Sequence, residues 1–437
     1  MHMILLSGGS GKRLWPLSND TRSKQFIKIF RHEDGYESMV QRVYRQILTA
    51  IPDAQVTIAT SKSQVSAIHN QLGFDVGLSI EPCRRDTFPA IALATAYLHD
   101  VLHVDENEAV VVCPVDPFVD ESYFVCLKRL WERAQEGDSR LVLMGIEPTY
   151  PSAKYGYIIP EGGGEGKERY AFREKPSEEV AKSYIAQGAL WNGGVFAYKL
   201  RYVLEKSREL LGTAEYAELF ARYETLRRIS FDYAVAEREQ SIEVLRYAGL
   251  WKDLGTWNTL TEAMEEQTVG EVMLSDNCRN VHAVNELGVP ILVMGCSDLV
   301  VAASPSGILV SDKGQSSYIK PLVDAIDQQV MFAEKSWGSF LVLDVEENSM
   351  TIKVTLNPGH RMNYHSHEKR DEVWTVIAGQ GRTIVDGMEQ PIRAGDVVTM
   401  EAGCRHTVIA DTELQMIEVQ LGTEINVADK RKYEFPE

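Results

Sequence analysis

The chain has 437 residues, too many for one ordinary core, so two or three domains are expected. Its 44% hydrophobic and 25% charged residues are those of a soluble globular protein, and a net charge of −18 argues against general nucleic-acid affinity. The first apolar run is four residues long and begins at Met3, so no signal peptide or membrane anchor is expected, and six scattered cysteines without a C-x-x-C pair read as thiols of a reducing cytoplasm.

The run Met3-Ile4-Leu5-Leu6 is too short for a helix and stops at glycines, the pattern of a buried strand. The loop Gly8-Gly9-Ser10-Gly11 follows. Without Cβ atoms, its backbone N–H groups can approach an anion closely, and phosphate is the usual one. Lys12, Arg13 and Lys24 add positive charge: the first 31 residues hold six Lys or Arg against one acid, Asp20. Two commoner phosphate motifs are excluded. The pattern G-x-x-x-x-G-K-[ST] fails because Arg13 follows Lys12 and Leu6 stands at the first glycine position, while G-x-G-x-x-G fails at Leu14. The plain alternative is a glycine turn ahead of a surface segment, and the surrounding cations weigh against it.

From Met3 to about Thr268 strand and helix patterns alternate. Gln55 to Thr60, Val76 to Pro82, Ala109 to Asp116 and Arg140 to Pro148 are β-branched apolar runs, with helical stretches such as Glu37 to Ala50 and Phe88 to Leu102 between them. This alternation predicts an α/β fold, a doubly wound, mostly parallel sheet of Rossmann-like type that binds ligands at the carboxyl ends of its strands. Asp116 ends one such strand, where a carboxylate can hold Mg2+ against nucleotide phosphates. Asp253, in Trp251-Lys252-Asp253-Leu254-Gly255, is the second candidate for the same ion, although capping a loop is the commoner use of a strand-end Asp. Glu161-Gly162-Gly163-Gly164-Glu165-Gly166 reads as a hairpin tip. On a strand, Glu174 and Lys175 would face opposite sides, one toward hydroxyls and one toward a phosphate. Asn192 is a candidate sugar-hydroxyl partner, and residues 203–238 read as largely helical, with Asp232 near a helix start.

As an ordered set, GGSGKRLWPLS with Lys24-Gln25-Phe26, EPCRRDTFPAIALA, FREKP, WNGGVF, SFDYAVAE and WKDLGTW resembles the mannose-1-phosphate guanylyltransferases of the sugar-nucleotidyltransferase superfamily, from Met3 to about Glu266. The resemblance implies that Gly8, Gly9, Gly11, Arg13 and Lys24 bind nucleotide phosphates, with Glu81, Arg85 and Thr87 near the nucleotide. It implies that Asp116 and Asp253 hold Mg2+ and that Gly156, Glu174, Lys175 and Asn192 bind the sugar phosphate. Arg13, Lys24, Asp116, Lys175 and Asp253 then carry catalysis, with GTP and a sugar 1-phosphate as substrates. The chain departs from the family pattern at Ser23, at Asp86-Thr87-Phe88 and at Gly193, which bears on fine specificity more than on reaction type.

From about Gly270, short apolar runs punctuated by Gly, Ser, Pro and Asp predict a small β-solenoid-like or sheet module. The resemblance makes it a linker that pairs subunits into a homodimer. Domains are expected at 1–268 (nucleotidyltransferase), 269–330 (β linker) and 331–437. The last contains Gly359-(x5)-His365-x-His367-(x4)-Glu372-(x6)-Gly379, then Gly395-(x7)-Gly403-x-x-His406. Three imidazoles and one carboxylate suit a divalent transition metal, Zn2+ first. The two motifs resemble a cupin β-barrel, with Glu401 where its second motif usually has Pro. Some chains of the resembling family use this cupin as a mannose-6-phosphate isomerase. Here the metal ligands persist while the tail from Gly422 to Tyr433 is rewritten, so isomerisation is the secondary expectation and guanylyl transfer the primary one. Another manno-configured sugar 1-phosphate is the alternative acceptor, an amino-terminal domain that is an inactive nucleotide sensor beside a working cupin is a further reading that the intact glycines, lysines and both aspartates weigh against, and a cupin whose metal only staples the barrel is the last.

Overall fold

The computed structural model describes residues 1–9, 11–19, 21–33, 35–162, 170–327, 329–426 and 429–435, so most of the expected glycine hairpin tip lies outside them. Two compact units divide the chain. The first comprises Met1–Gly9, Lys24–Val65 and Phe74–Glu265; the second comprises Ser10–Ser23, Ser66–Gly73 and Glu266–Glu437.

In the first unit, β1 (His2–Ser7) is hydrogen-bonded between two parallel neighbours, β4 (Gln55–Ser61) and β6 (Ala109–Pro114), and β5 (Gly77–Glu81) extends the sheet beyond β4. A short hairpin, β2 (Lys28–His32) and β3 (Gly35–Ser38), lies off this sheet and leads into the helix Met39–Ala50. Ser38 closes a capping box with Gln41 there, satisfying two otherwise orphaned donors. Strands β1 and β6 are apolar and buried along nearly their whole length, as a parallel strand covered on both faces must be. The helix Thr87–Asp100 packs its many small residues into the same core.

The sheet becomes mixed beyond β6. The long β11 (Leu190–Lys199) runs antiparallel to β6, to β8 (Leu141–Ile146) and to β9 (Gly156–Pro160), while β10 (Tyr170–Glu174) closes the edge against β9. β12 (Ile242–Tyr247) pairs in parallel with β8. Residues 117–119 form β7 (Pro117–Val119), which pairs with β13 (Trp251–Asp253) and sets Asp253 opposite Pro117.

In the second unit, the parallel rungs β14 (Thr268–Val269), β16 (His282–Asn285) and β18 (Leu299–Ser304) stack, with β15 (Val272–Leu274) parallel to β17 (Ile291–Val293) and β19 (Gly307–Asp312) antiparallel to β18. Val281, Ala283, Val293 and Val301 fill this solenoid-like module. Residues 11–23 belong to the same unit: Ser304 Oγ donates to the Pro16 carbonyl (2.8 Å), Arg22 meets Glu286 (2.7 Å) and Lys12 meets Asp324 (3.2 Å).

The cupin follows as two facing sheets. One is ordered β20 (Phe332–Lys335), β21 (Gly338–Val345), β22 (Ser349–Leu356), β29 (Leu414–Gly422), β24 (Arg370–Ala378), β27 (Val397–Met400). The other is ordered β26 (Met388–Arg393), β25 (Gln380–Val385), β28 (His406–Ala410), β23 (His365–His367), β30 (Lys430–Lys432). Trp374, Met400, Leu414 and Met416 fill the core between them. All six cysteines are free thiols.

Candidate active site

β1 and β6 are parallel neighbours with Leu6 opposite Pro114, so Gly8-Gly9 and Asp116 leave the sheet from adjacent strand ends. Among the described residues nothing lies within 4 Å of where a Cβ on Gly8 or Gly9 would stand, and Gly9 has φ +89°, a conformation glycine adopts without strain. A buried polar network sits beneath this turn. Thr60 Oγ1 and Ser7 Oγ donate to Gln64 Oε1 (2.9 and 3.3 Å), Gln25 Nε2 donates to Ser7 Oγ (3.1 Å), and Gln64 Nε2 donates to the Gly9 carbonyl (3.4 Å). These four side chains are almost fully buried, so the network fixes the turn and the start of the Lys24–Phe26 helical turn together.

Lys24 Nζ lies 2.7 Å from Asp116 Oδ2 and 3.5 Å from Asp253 Oδ1. Burial opposes the charge on this lysine, but the two carboxylates outweigh it and hold the ammonium above its ordinary value. A cation between two carboxylates 137 positions apart in sequence is the arrangement a divalent ion would also find, so the donor set fits Mg2+. Gly11 and the exposed Arg13 belong to the second unit, as part of residues 11–23.

Sheet register builds the second part of the site. Gly156 is the partner of Glu174 on one side and of Asn192 on the other, so the three stand in one row across β10, β9 and β11. A Cβ on Gly156 would come within 2.5 Å of Glu174 Oε2, so only glycine lets that carboxylate lie across the strand. The expectation that Glu174 and Lys175 face opposite sides is corrected here. β10 ends at Glu174, Lys175 turns to φ +45° with its N–H on the Tyr155 carbonyl, and its ammonium returns to Glu174 Oε1 at 2.5 Å. Asn192 Oδ1 accepts from the Gly194 N–H (3.1 Å), and its Nδ2 donates to Asp232 Oδ1 (2.5 Å). Tyr155, Trp191 and Trp251 pack ring on ring (4.8 to 6.2 Å between centroids), tying the strand that ends in Asp253 to this row.

The remaining expected nucleotide residues are spent on local structure. Glu81 accepts from the Tyr223 hydroxyl (2.6 Å), and burial holds its carboxyl above the usual range. Arg85 bonds the carbonyls of Tyr223 and Glu224, and Thr87 Oγ1 accepts the Phe231 N–H (2.8 Å).

In the cupin, His365, His367 and His406 each bring one ligand atom to within 4.8 Å of the others. The Nδ1 atoms meet the backbone carbonyls of Asn363 (2.6 Å), Asp429 (3.3 Å) and Cys404 (3.0 Å). A carbonyl only accepts, so Nδ1 carries the proton and Nε2 is left as the lone-pair donor. Burial pushes His365 down to about 2 and His367 to about 4, keeping both rings neutral. Burial opposes ionisation of Glu372, but the Arg370 guanidinium, whose Nε lies 3.1 Å from Glu372 Oε1, favours the carboxylate. Glu372 Oε2 and His406 Nε2, both acceptors, lie 3.2 Å apart with no hydrogen-bond donor to either among the described residues. Two buried acceptors this close call for a cation, and the four side chains fit a divalent transition metal.

The nucleotidyl transferase family profile matches residues 2–269, more than half of the chain. The chain belongs to the nucleotidyl transferase family. A cupin domain profile matches residues 352–420. Among curated relatives, a mannose-1-phosphate guanylyltransferase of Salmonella montevideo is 27% identical, covering 98% of this chain and 97% of its own. The xanthan biosynthesis protein XanB of Xanthomonas campestris pv. campestris (strain B100) is also 27% identical, over 99% and 97%. A solved structure from Thermus thermophilus, described as a "mannose-1-phosphate geranyltransferase", is 28% identical with a TM-score of 0.62, covering 74% of this chain and 98% of its own.

Sequence reasoning assigned no role to several residues of this nucleotidyl transferase site. Gln64 and Thr60 gave no signal beyond being polar beside an apolar run. Asp232 was placed near a helix start, where a cap is the ordinary reading, and only the fold shows that it meets Asn192.

Proposed function

We propose that this nucleotidyl transferase moves GMP from GTP to α-D-mannose 1-phosphate, giving GDP-mannose and pyrophosphate for polysaccharide synthesis. The observation that carries the reading is the meeting of Asp116 and Asp253 around one cation, at the strand ends where the glycine turn emerges. The guanylyltransferase names of the relatives supply the substrates. Asp116 and Asp253 would hold Mg2+, which when bound supplies charge neutralisation on the triphosphate. An oxygen of the sugar phosphate attacks the α-phosphorus in line and pyrophosphate leaves. No general base is needed, because the attacking phosphate is already anionic. The protein's part is alignment and charge: Gly8, Gly9, Gly11, Arg13 and Lys24 toward the nucleotide phosphates, Lys175 toward the sugar phosphate, and Gly156, Glu174 and Asn192 toward the sugar. Glu81, Arg85 and Thr87 frame the nucleotide through the local contacts they make.

Pyrophosphate release across a matrix of nucleoside triphosphates and sugar 1-phosphates tests this. GTP with mannose 1-phosphate is expected to lead, and preference for another base or silence with every sugar 1-phosphate overturns it. Lys175→Ala is expected to raise the sugar-phosphate KM by about 10-fold or more while leaving the GTP KM near its original value.

A second activity is favoured by the three clustered histidines with Glu372 beside them. A Zn2+-class ion in the cupin would polarise a carbonyl, as interconversion of mannose 6-phosphate and fructose 6-phosphate requires. Loss of isomerisation on chelation with the fold retained supports catalysis, whereas melting of the barrel supports a structural staple. The proposal includes a homodimer, supported by the exposed Met273, Leu292, Met294, Ile308 and Val310 of the β linker. It also includes a cytoplasmic setting, where nucleotides and sugar phosphates are at hand and thiols stay reduced.

A further inference from the structure

We propose that Asp232 is a positioning residue that fixes the polarity of the Asn192 carboxamide and so selects which hydroxyl pattern the sugar site accepts. The inference rests on the transferase reading above. A carboxamide offers a donor edge and an acceptor edge of nearly the same shape, and its neighbours decide which way round it sits. Here both edges are engaged: Gly194 N–H reaches Oδ1 (3.1 Å), and Nδ2 reaches Asp232 (2.5 Å). Turned over, the amide would face N–H to N–H at Gly194 and oxygen to carboxylate at Asp232. Two mismatched, half-buried contacts disfavour that orientation.

Asp232 is itself anchored from the core. The neighbouring Phe231 is fully buried, with its ring 4.6 Å from that of Phe196 and 6.3 Å from that of Phe88, and its N–H bonds Thr87 Oγ1. Ser230 Oγ accepts the Tyr233 N–H and closes the turn. Glu174 acts on Asp232 electrostatically, so the locked amide lies in a neighbourhood rich in acceptors with Lys175 as its cation. Such a neighbourhood takes hydroxyl donors. A fixed amide adds one further N–H and one lone pair of set polarity, which separates sugars that differ in the direction of a single hydroxyl.

Pyrophosphate release with mannose 1-phosphate and its C2 epimer, glucose 1-phosphate, tests the assignment. Asp232→Ala is expected to raise the mannose 1-phosphate KM by about 10-fold and to cut the preference between epimers by a similar factor, with the GTP KM within about 2-fold. Adding Asn192→Ala should then change little more, because both changes remove one device. The exchanged pair, Asn192→Asp with Asp232→Asn, restores the hydrogen bond and the thermal midpoint but reverses the amide, so the epimer preference should stay lost. A merely structural Asp232 would regain both. The exchanged pair carries the test alone if Asp232→Ala does not fold. An unchanged KM and preference in Asp232→Ala, or preference regained in the exchanged pair, overturns the inference and leaves the transferase reading intact. A wild-type protein silent with every sugar 1-phosphate ends both.

Discussion

Lys24 shows how one side chain can report on a site. Its side chain is only 12% exposed, and its ammonium lies between Asp116 and Asp253, whose side chains are 29% and 42% exposed. Each group makes the burial of the others tolerable, so removing the lysine leaves two carboxylates facing one another. Lys24→Met is therefore expected to lower stability by about 1–3 kcal/mol, less than a fully buried pair would lose because both acids reach solvent. Millimolar Mg2+ should return part of that loss, since it occupies the same two carboxylates, and thermal melting with and without Mg2+ reads the difference. Equal melting loss under both conditions would take the two aspartates out of the metal role. Asp116→Asn keeps the shape and removes half of the anionic pair. Its expected result is turnover lower by about 100-fold with the sugar-phosphate KM within about 3-fold, and unchanged pyrophosphate release would count against Asp116 as a metal ligand.

Elements were more legible in the sequence than the contacts between them. The runs at Met3, Gln55, Ala109 and Arg140 became β1, β4, β6 and β8 because a buried strand writes its burial into consecutive apolar residues. Pairing leaves no such mark. Nothing local at Gly156 says that Glu174 and Asn192 flank it, and nothing local at Lys12 or Arg22 points to Asp324 or Glu286, about 300 and 260 positions away. Lys175 departs from the alternation for a related reason: alternation holds only while the strand lasts, and β10 stops one residue earlier. The tail strand β30 is the clearest case, since its sequence carries few apolar residues yet it pairs with β23, which carries His365 and His367. Asp429 supplies the carbonyl for His367 Nδ1 and a carboxylate for the Glu368 and Lys369 N–H groups, while Asn426 supplies a carbonyl to Arg370. Truncation after Ile425 is expected to weaken cupin metal binding by about 10–100-fold, as loss of outer ligand supports does elsewhere. Metal content by mass spectrometry checks this, with pyrophosphate release expected to continue. Full metal retention would show that β30 only covers the site.

At the scale of the whole molecule, one chain carries two donor sets that fit metal ions, oxygen donors in the transferase unit and mainly nitrogen donors in the cupin, and the cupin group also governs a response to pH. In the folded barrel His365 and His367 are held to about 2 and about 4, whereas in the unfolded chain they titrate near 6.5. Between pH 5 and 6.5 the unfolded chain thus takes up protons at two histidines that the metal-free barrel refuses. Glu418 works the other way: burial beside Glu372 raises its carboxyl to about 7, so the folded barrel keeps a proton that the unfolded chain has released above its ordinary 4.5. Two sites against one leave the unfolded state holding more protons, and stability must rise with pH across that window. Removing Glu418 from the balance, as Glu418→Gln, should steepen the rise. The metal-free protein is therefore expected to melt at progressively higher temperature from pH 5 to 6.5, more steeply in the Glu418→Gln variant. A melting temperature that falls over this range would mean that His365 and His367 are not held neutral, and a variant with a shallower slope would mean that Glu418 does not keep its proton in the folded barrel.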